Sequence, residues 1–284
     1  MILVTGATGH VGSGLVAQLV ERGERVRVMT RRPEAGGFPA GVEVVRGDFE
    51  DCASIDAALD GVGRVFLMTA QEVGSAGAPT HVRLFADAAR QAGIRRIVML
   101  SVLGGGGSDP GDPFAQWFRQ AEGAVRNSGA AWTFLRPGRF MSNALQWAPM
   151  IKRDGRVTAP FGRRPAASID PADIAAVALR ALTEPGHEHR TYELSGPEAL
   201  TPAQEVDILA GALGRPLGFI HMSNDAARAG MLRAGMAEHV VDAIIARAEK
   251  DGSGAEVLPA VREVTGRPPR RFAEWARAHL GAFR

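Results

Sequence analysis

Short apolar segments alternate with longer amphipathic segments through the first half of the chain. The apolar segments are rich in β-branched residues, which is typical of strands, and the segments between them place apolar residues at helical spacing. Strands that alternate with helices form βαβ units, so this order predicts an α/β fold with a doubly wound parallel sheet of six strands. The predicted strands are 2–4, 25–29, 42–46, 64–68, 96–100 and 132–135, and the predicted helices are 11–22, 54–59, 80–92 and 113–127, with Ser54 as the N-cap of the second helix.

The pattern changes after residue 138. Short strand-like segments at 190–194 and 217–221 lie between helices that begin at Asp170-Pro171 and Thr201-Pro202, where an acceptor side chain precedes proline. From Asn224 the sequence is mostly helical. We therefore expect a core domain at 1–150 and a smaller C-terminal α+β lobe at 151–284, with a helical lid and with segments that return to the core. Because ligands of open α/β sheets bind at the carboxyl edge, the lobe is expected to bind the substrate there.

Composition and charge exclude several classes of protein. Lys and Arg number 33 against 31 Asp and Glu, a formal net charge of +2, so neither nucleic acid nor a membrane surface is an expected partner. The single cysteine, Cys52, can form neither an intrachain disulfide nor a cysteine metal cluster. His187 and His189 lack further ligands nearby, so no metal is expected. Without a signal peptide or an apolar run of ~18 residues, the expected location is cytoplasmic.

Three glycines, Gly6, Gly9 and Gly12, stand three residues apart directly after the first strand and open the first helix. Glycine here lets the backbone turn tightly and approach a pyrophosphate, and the helix N-terminus offers N–H groups to the phosphates. A tight strand–helix turn without a ligand is the alternative, but the position of the glycines favours a Rossmann-type dinucleotide site. The residues expected to contact the dinucleotide are Gly6, Thr8, Gly9, His10, Val11 and Gly12, although His10 also suits a partly exposed helix start.

The end of the second strand indicates which dinucleotide binds. NAD-binding proteins place a carboxylate there for the ribose 2′-hydroxyl, whereas this chain has Thr30, Arg31 and Arg32. Guanidinium groups bind a 2′-phosphate through paired hydrogen bonds, so the arginines favour NADP(H), with a solvated basic turn as the alternative. After the third strand, Asp48 can accept from the adenine amino group and Phe49 can flank the base, although these residues equally suit a helix-entry cap.

Three motifs resemble the NmrA-like branch of the atypical short-chain dehydrogenases/reductases, and the resemblance runs over most of the chain. They are Thr5 to Gly12, Gly47-Asp48-Phe49, and Trp132 to Gly138 with Phe140, Met141 and Asn143. The branch includes NADPH-dependent reductases of quinones, ketones and alkenes as well as cofactor-binding regulatory proteins, so fold alone leaves the activity open. The resemblance implies that Thr69 and Ala70 lie near the cofactor ribose, that Ser101 ends the fifth strand at the catalytic point, and that Pro137, Gly138 and Phe140 lie beside the nicotinamide.

One departure from the family pattern bears on the chemistry. Active short-chain dehydrogenases carry a tyrosine that donates a proton and a lysine four residues later. The only tyrosine here, Tyr192, falls in the predicted C-terminal lobe and is followed by Gly196, and the helix predicted at 113–127 holds neither residue type. Ser101 is the hydroxyl left at the catalytic point, with a plain strand terminator as the equal alternative. We therefore expect a phenol of the substrate, next to its carbonyl, to bond the developing oxyanion.

Aromatic and polar residues predict the substrate pocket. Trp117, Phe118 and Trp147 can wall an apolar cleft with Phe140, with core packing as the alternative, which is preferred for Met141. Asn143 and Arg136 can position the substrate, unless Arg136 pairs with a carboxylate, and His221 is a second candidate proton donor.

These expectations combine into a function. The sequence predicts an NADPH-dependent ketoreductase of a hydrophobic aromatic carbonyl compound, acting in a polyketide tailoring step such as those of antibiotic biosynthesis. The alternatives are a quinone reductase and a regulatory protein that senses NADP(H) without turnover.

Overall fold

The structure, a computed structural model, describes residues 1–68, 79–105, 112–249 and 254–284. Contacts divide the chain into two compact units. Unit 1 comprises Met1–Pro137 and Pro171–Glu193, and unit 2 comprises Gly138–Asp170 and Leu194–Arg284. The division of function between a core at 1–150 and a lobe at 151–284 stays a prediction.

The described strands and helices follow the hydrophobic pattern closely, with most ends within two residues of the predicted ones. In chain order they are β1 (Ile2–Thr5), α1 (His10–Glu21), β2 (Val26–Thr30), a 3-10 helix (Pro33–Ala35), β3 (Glu43–Arg46), α2 (Cys52–Leu59), β4 (Arg64–Leu67), α3 (Thr80–Gln91), β5 (Arg96–Leu100), α4 (Pro113–Arg126), β6 (Ala131–Pro137), a 3-10 helix (Met141–Trp147), α5 (Ala148–Asp154), β7 (Arg156–Ala159), α6 (Pro171–Thr183), β8 (Arg190–Leu194), α7 (Pro202–Leu213), β9 (Gly218–His221), α8 (Asn224–Arg233), α9 (Glu238–Glu249), α10 (Ala260–Thr265), α11 (Phe272–Ala278) and a 3-10 helix (Leu280–Ala282).

The central sheet confirms the doubly wound α/β fold. Its strand order is β3-β2-β1-β4-β5-β6-β8, and β1 to β6 pair in parallel. The order reverses direction between β1 and β4, the switch point where dinucleotides bind in such sheets. The sheet has seven strands instead of the predicted six, because β8, which the sequence assigns to the C-terminal lobe, lies beside β6 at the edge of this sheet.

Both faces of the sheet are covered by helices of unit 1. Successive strand residues point to opposite faces. On one face Leu3, Val65 and Ile97 pack in a core shared with α2, α3 and α4. On the other, α1 and α6 approach closely, since a Cβ on Gly14 would lie 3.6 Å from the Cβ of Ala175. Burial on both faces explains why the strands read as nearly continuous apolar runs.

The N-cap of α2 is Asp51, and the prediction of Ser54 is wrong. The Asp51 carboxylate accepts from the amides of Ala53 at 3.1 Å and Ser54 at 3.4 Å. The Ser54 hydroxyl instead donates to the Asp51 carbonyl at 2.8 Å, inside the first turn. Both residue types are good caps, but a carboxylate also gains from the positive end of the helix dipole, so the helix starts two residues earlier.

Unit 2 has its own core and its own small sheet. Phe272, Trp275 and Phe283 are buried together, and β7 pairs in parallel with β9. The start of α7 is as predicted: Thr201 accepts from the Gln204 amide at 3.3 Å, while the Gln204 side chain accepts from the Thr201 amide. The helices α8 and α9 fall in the predicted helical tail. Among the described residues, no helix has both the length and the apolar character that crossing a membrane requires.

Candidate functional site

The glycine loop between β1 and α1 has the geometry that its sequence predicts. Gly6 has a positive φ of 63°, a conformation that favours glycine, and its carbonyl accepts from the Gly9 amide at 3.0 Å. A Cβ on Gly12 would lie only 2.2 Å from the Gly6 carbonyl oxygen. No larger residue fits at position 12 without moving the backbone, so the loop depends on glycine for close packing of the helix against the strand.

The N-terminus of α1 is open towards an anionic group. Its N-cap is Gly9, which has no side chain to accept from the first amides, and the first turn contains no acidic residue. The first N–H groups of a helix lack intrahelical partners and carry the positive end of its dipole. The side chain of His10 is exposed at this point and Val11 is buried in the core. The loop and the helix start therefore suit a pyrophosphate.

A cavity of about 430 Å³ lies beside this loop, at the carboxyl ends of β1 and β2. None of its lining residues carries a carboxylate, whereas three hydroxyl side chains and two guanidinium groups line it. This set of donors suits a phosphate group and matches the predicted place of the NADP 2′-phosphate. The lining residues that bear on binding are Thr8, Ser13, Thr30, Arg31, Arg32 and Phe38.

The turn that carries the two arginines is fixed by its own backbone. The Arg32 amide donates to the Thr30 hydroxyl oxygen at 3.2 Å, and the Thr30 carbonyl accepts from the Gly47 amide at 3.0 Å. Because the hydroxyl accepts here, its proton is available to a ligand oxygen. Both arginine side chains are exposed and reach the cavity. The local structure is compatible with the predicted 2′-phosphate site, and the contacts of Arg31 and Arg32 with a phosphate stay predictions.

The segment after β3 holds Asp48 and Phe49 close to α3. The Asp48 carboxylate accepts from the Glu50 amide at 3.1 Å, and the ring of Phe49 packs against Phe85 and stacks near His81. The helix-entry cap that Asp48 equally suits is supplied by Asp51. The predicted contacts of Asp48 and Phe49 with adenine stay predictions.

A cluster of charged and polar side chains surrounds a buried carboxylate at the carboxyl ends of β5 and β6. Ser101, which directly follows β5, donates its hydroxyl to Glu122 Oε1 at 2.8 Å. Glu122 lies on α4 and its side chain is fully buried. Arg136, near the end of β6, donates through Nε to Oε1 at 2.9 Å and through Nη2 to Oε2 at 2.7 Å, and Arg126 adds a bond to Oε2 at 3.1 Å. We call Ser101, Glu122, Arg126 and Arg136 the carboxylate cluster.

The carboxylate cluster decides between two interpretations of Arg136. Its hydrogen bond to Glu122 raises the pKa of the Arg136 guanidinium, although burial opposes this. Pairing with a carboxylate is therefore the interpretation that describes Arg136, and the guanidinium is not left over to position a substrate. Sequence reasoning missed Glu122. The signal was present, since Glu122 sits among Phe118, Ala121 and Val125 on the apolar face of a helix, where a carboxylate needs a buried cation.

Tyr192 lies in β8 of the central sheet and not in the C-terminal lobe, where the sequence placed it. Its hydroxyl is hydrogen bonded to Nδ1 of His187 at 2.8 Å. Burial of His187 lowers the pKa of its imidazole. The tyrosine thus belongs to the packing of the sheet edge, because β8 returns to unit 1 after α6.

The residues predicted to contact the substrate occupy different environments. Trp117 and Phe118 are buried in the core beneath α4 and contact each other edge to face, and Trp147 is buried in the core of unit 2 with Met141. All four side chains are buried, and the substrate contacts predicted for Trp117, Phe118 and Trp147 stay predictions. Asn143 and His221 are exposed, and Phe140 is half-buried. Their contacts with substrate, and those of Pro137 and Gly138 with the nicotinamide, stay predictions.

Two predicted cofactor contacts, Thr69 and Ala70, lie outside the described residues. Within the described ranges, no group of three or more His, Cys, Asp or Glu side chains has an arrangement that could hold a metal ion.

Comparisons with known proteins identify similar reductases. Residues 6–185 match the model of a family described as NAD(P)H-binding. The chain is 45% identical, over all of its length and 99% of the relative, to a (4-alkanoyl-5-oxo-2,5-dihydrofuran-3-yl)methyl phosphate reductase of Streptomyces griseus. It is 38% identical, with the same coverage, to an NAD(P)H azoreductase of Xenophilus azovorans. The NADPH-dependent quinone oxidoreductase QOR2 of Escherichia coli, solved with NADPH, superposes with a TM-score of 0.79 at 28% identity, covering 99% of this chain and 100% of that one.

Proposed function

The chain belongs to the NAD(P)H-binding family, in the NmrA-like branch of the atypical short-chain dehydrogenases/reductases, and we propose that this NADPH-dependent reductase transfers hydride to an electron-poor conjugated acceptor. Such acceptors are activated alkenes, quinones and azo compounds. The preferred substrate is thus a conjugated system, whereas the sequence predicts a ketone.

One observation carries this proposal: the Ser101 proton is already donated to Glu122. A ketone that accepts hydride becomes a localised alkoxide and needs a strong donor in the transition state, which a general acid usually supplies. The only tyrosine of the chain, Tyr192 in β8, is hydrogen bonded to His187. An arginine does not release its proton. Hydride addition to a conjugated acceptor spreads the charge over several atoms. The acid is then dispensable at the hydride step, and water can protonate the product later.

The names of the relatives point to the same class of acceptor. The dihydrofuran ring in the name of the Streptomyces relative carries an alkanoyl and an oxo group on one side of its double bond. The other two names refer to azo and quinone reduction. All three are electron-poor π systems, which supports a conjugated acceptor for this chain.

The mechanism assigns binding and orientation to this chain. When bound, NADPH would supply the hydride. The amides at the start of α1 would hold its pyrophosphate, and Arg31 and Arg32 would hold the 2′-phosphate with the Thr30 hydroxyl. The carboxylate cluster fixes the ends of β5 and β6, so that the acceptor meets a rigid edge. Rate acceleration would then come mainly from the alignment of the acceptor with the hydride donor.

An aryl ketone with a neighbouring phenol is the second candidate. The engaged hydroxyls of Ser101 and Tyr192 favour it as well, because the internal phenol can bond the developing oxyanion. The polyketide tailoring step predicted from the sequence belongs to this candidate.

A labelling experiment separates the two candidates. The enzyme is given NADPH deuterated at C4 on either face and an α,β-unsaturated aryl ketone, which offers both acceptor positions. Deuterium at the carbon β to the carbonyl is the expected result, and deuterium at the carbinol carbon overturns the proposal in favour of ketone reduction. A panel of quinones and azo dyes is run in parallel. Binding of NADPH without oxidation by any acceptor would identify a sensor of NADP(H) instead.

A further inference from the structure

The hydrogen bonds of the carboxylate cluster fix which way the Ser101 hydroxyl points its proton. Glu122 faces three N–H donors from two guanidinium groups, so its carboxyl group is held as an acceptor. An ionised carboxylate has no proton to give, and Ser101 must therefore be the donor in the 2.8 Å bond to Oε1. Ser101 keeps only its oxygen lone pairs for any other partner.

The sheet order places Ser101 on the nicotinamide side of the dinucleotide site. The cavity with Arg31 and Arg32 lies at the ends of β1 and β2, so the adenosine half of the cofactor extends towards β2. The other half then extends from the glycine loop towards β4 and β5. Neighbouring strands are ~4.8 Å apart, so β5 lies ~10 Å from β1, which the nicotinamide half of an extended dinucleotide covers. Ser101 is the first residue after β5, and its amide donates to the Leu135 carbonyl of β6 at 2.7 Å.

We propose that Ser101 acts as a hydrogen-bond acceptor towards the ligand at this edge of the sheet, and that Glu122 is the positioning residue that sets this polarity by accepting the hydroxyl proton. The group that Ser101 recognises is an N–H or O–H donor, either on the nicotinamide carboxamide or on the substrate. The usual expectation for a serine at this point, donation to a substrate carbonyl, is thereby reversed. The inference rests on the proposed binding of NADPH.

The first arm of the test uses the reduced 3-acetylpyridine analogue of NADPH, which keeps the carbonyl oxygen but lacks the carboxamide N–H groups. Dissociation constants of NADPH and of the analogue are measured by fluorescence titration, without turnover. One hydrogen bond corresponds to a preference of about two- to ten-fold for NADPH. We expect Ser101→Ala to reduce that preference by this factor. Ser128→Ala, which removes another buried serine hydroxyl just after the end of α4, is the matched control and keeps the wild-type ratio.

The second arm tests a substrate hydroxyl as the donor. KM values are compared for 6-hydroxy- and 6-methoxy-1,4-naphthoquinone, whose substituent lies too far from the carbonyls for an internal hydrogen bond, in the wild type and in Ser101→Ala. A change of the ratio in this arm alone assigns the donor to the substrate, and a change in the first arm alone assigns it to the carboxamide. Unchanged ratios in both arms, with normal NADPH binding, overturn the inference and leave the proposed function intact. Failure of NADPH to bind would overturn both.

Glu122→Gln tests the positioning role through the same ratio. The amide oxygen is expected at the Oε2 position, where two guanidinium groups donate, which places the amide N–H₂ beside Ser101. The serine then accepts from glutamine and turns its proton to the ligand, so the preference for NADPH over the acetylpyridine analogue should fall as well. A wild-type ratio in a folded Glu122→Gln protein contradicts the positioning role. Should this variant fail to fold, Ser101→Ala still decides the polarity.

Discussion

We expect Arg31 and Arg32 to distinguish the two dinucleotides by charge, since both line the cavity and no carboxylate lies among its lining residues. A hydrogen bond to a charged group contributes ~1.5–3 kcal/mol, and at these exposed positions we expect the lower end for each arginine. The double change Arg31→Ala and Arg32→Ala should therefore weaken NADPH binding at least tenfold and leave NADH binding nearly unchanged. Titration of the apo protein with NADPH, NADH, 2′,5′-ADP and 5′-AMP measures this.

The matched control for the arginine pair is Arg25→Ala. Arg25 is exposed like the other two but precedes β2, at the opposite edge of the sheet. Its removal should leave the ratio of NADPH to NADH affinity unchanged. A wild-type protein that binds both cofactors equally would show that the assignment of the 2′-phosphate site is wrong.

Ser101→Ala tests whether a side-chain acid takes part in the reaction. The hydroxyl proton is donated to Glu122, so we expect kcat to fall by less than tenfold, whereas loss of a general acid usually costs ~10²–10⁴-fold. Tyr192→Phe should behave like the wild type, because that hydroxyl is bonded to His187. Steady-state kinetics with a quinone measures both variants. A hundred-fold collapse of kcat in Ser101→Ala would restore the serine as the proton donor.

Single residues of the site differ in how far the sequence reveals them. Gly6 and Gly12 are predictable from the spacing of the glycines. Gly6 has a positive φ, and a Cβ on Gly12 would lie 2.2 Å from the Gly6 carbonyl oxygen, so both positions favour glycine. The partner of Arg136 is not predictable by spacing, since Glu122 is 14 residues away and the pair forms only when α4 packs on the sheet. A buried carboxylate on an apolar helix face was the available signal.

At the scale of elements, Glu122 joins α4 to the ends of β5 and β6. Removing its charge leaves the largely buried Arg136 with only the exposed Glu193, at 3.8 Å, as an ion-pair partner. Breaking a buried ion pair costs on the order of 3–5 kcal/mol. We expect Glu122→Gln to lower the free energy of unfolding by about 3 kcal/mol, as measured by urea denaturation. The matched control is Glu43→Gln on edge strand β3, whose half-exposed pair with Arg27 should contribute less than about 1 kcal/mol. Equal effects of the two variants would contradict a special role for the buried carboxylate.

The strands and helices up to β6 are predictable because each is a local pattern bounded by glycine, proline or a cap. The sheet to which β8 belongs is not predictable in this way. The residues of β8 predict a strand, but the choice of sheet depends on α6, which packs against α1 and brings the chain back to unit 1. Boundaries also depend on competition between neighbouring caps, as the choice of Asp51 over Ser54 shows.

At the scale of the whole chain, the carboxylate cluster and the cavity with Arg31 and Arg32 both belong to unit 1, which is built from two separate segments of sequence. The second segment, Pro171–Glu193, contributes α6 and most of β8. It does not line the cavity, and it meets the carboxylate cluster only through its last residue, Glu193, whose carboxylate lies 3.8 Å from Nη1 of Arg136. Its role is structural: Arg64 and Arg96 on the sheet donate to carbonyls at the end of α6. The sequence predicts that segments return to the core without identifying this one, because the bonds that join it to the sheet come from residues distant along the chain.

The stability of the folded chain should depend on pH through this second segment. Burial lowers the pKa of His187, so the folded state binds its proton less readily than the unfolded state, where the pKa is near 6.5. As pH falls below about 6.5 the unfolded state takes up the proton first, and the free energy of unfolding decreases. His187→Gln should make this decrease smaller, as measured by urea denaturation between pH 7.5 and 5. His10→Gln, at an exposed position, serves as the control. A His187→Gln protein with the same acid dependence as the wild type would show that His187 is not the group responsible.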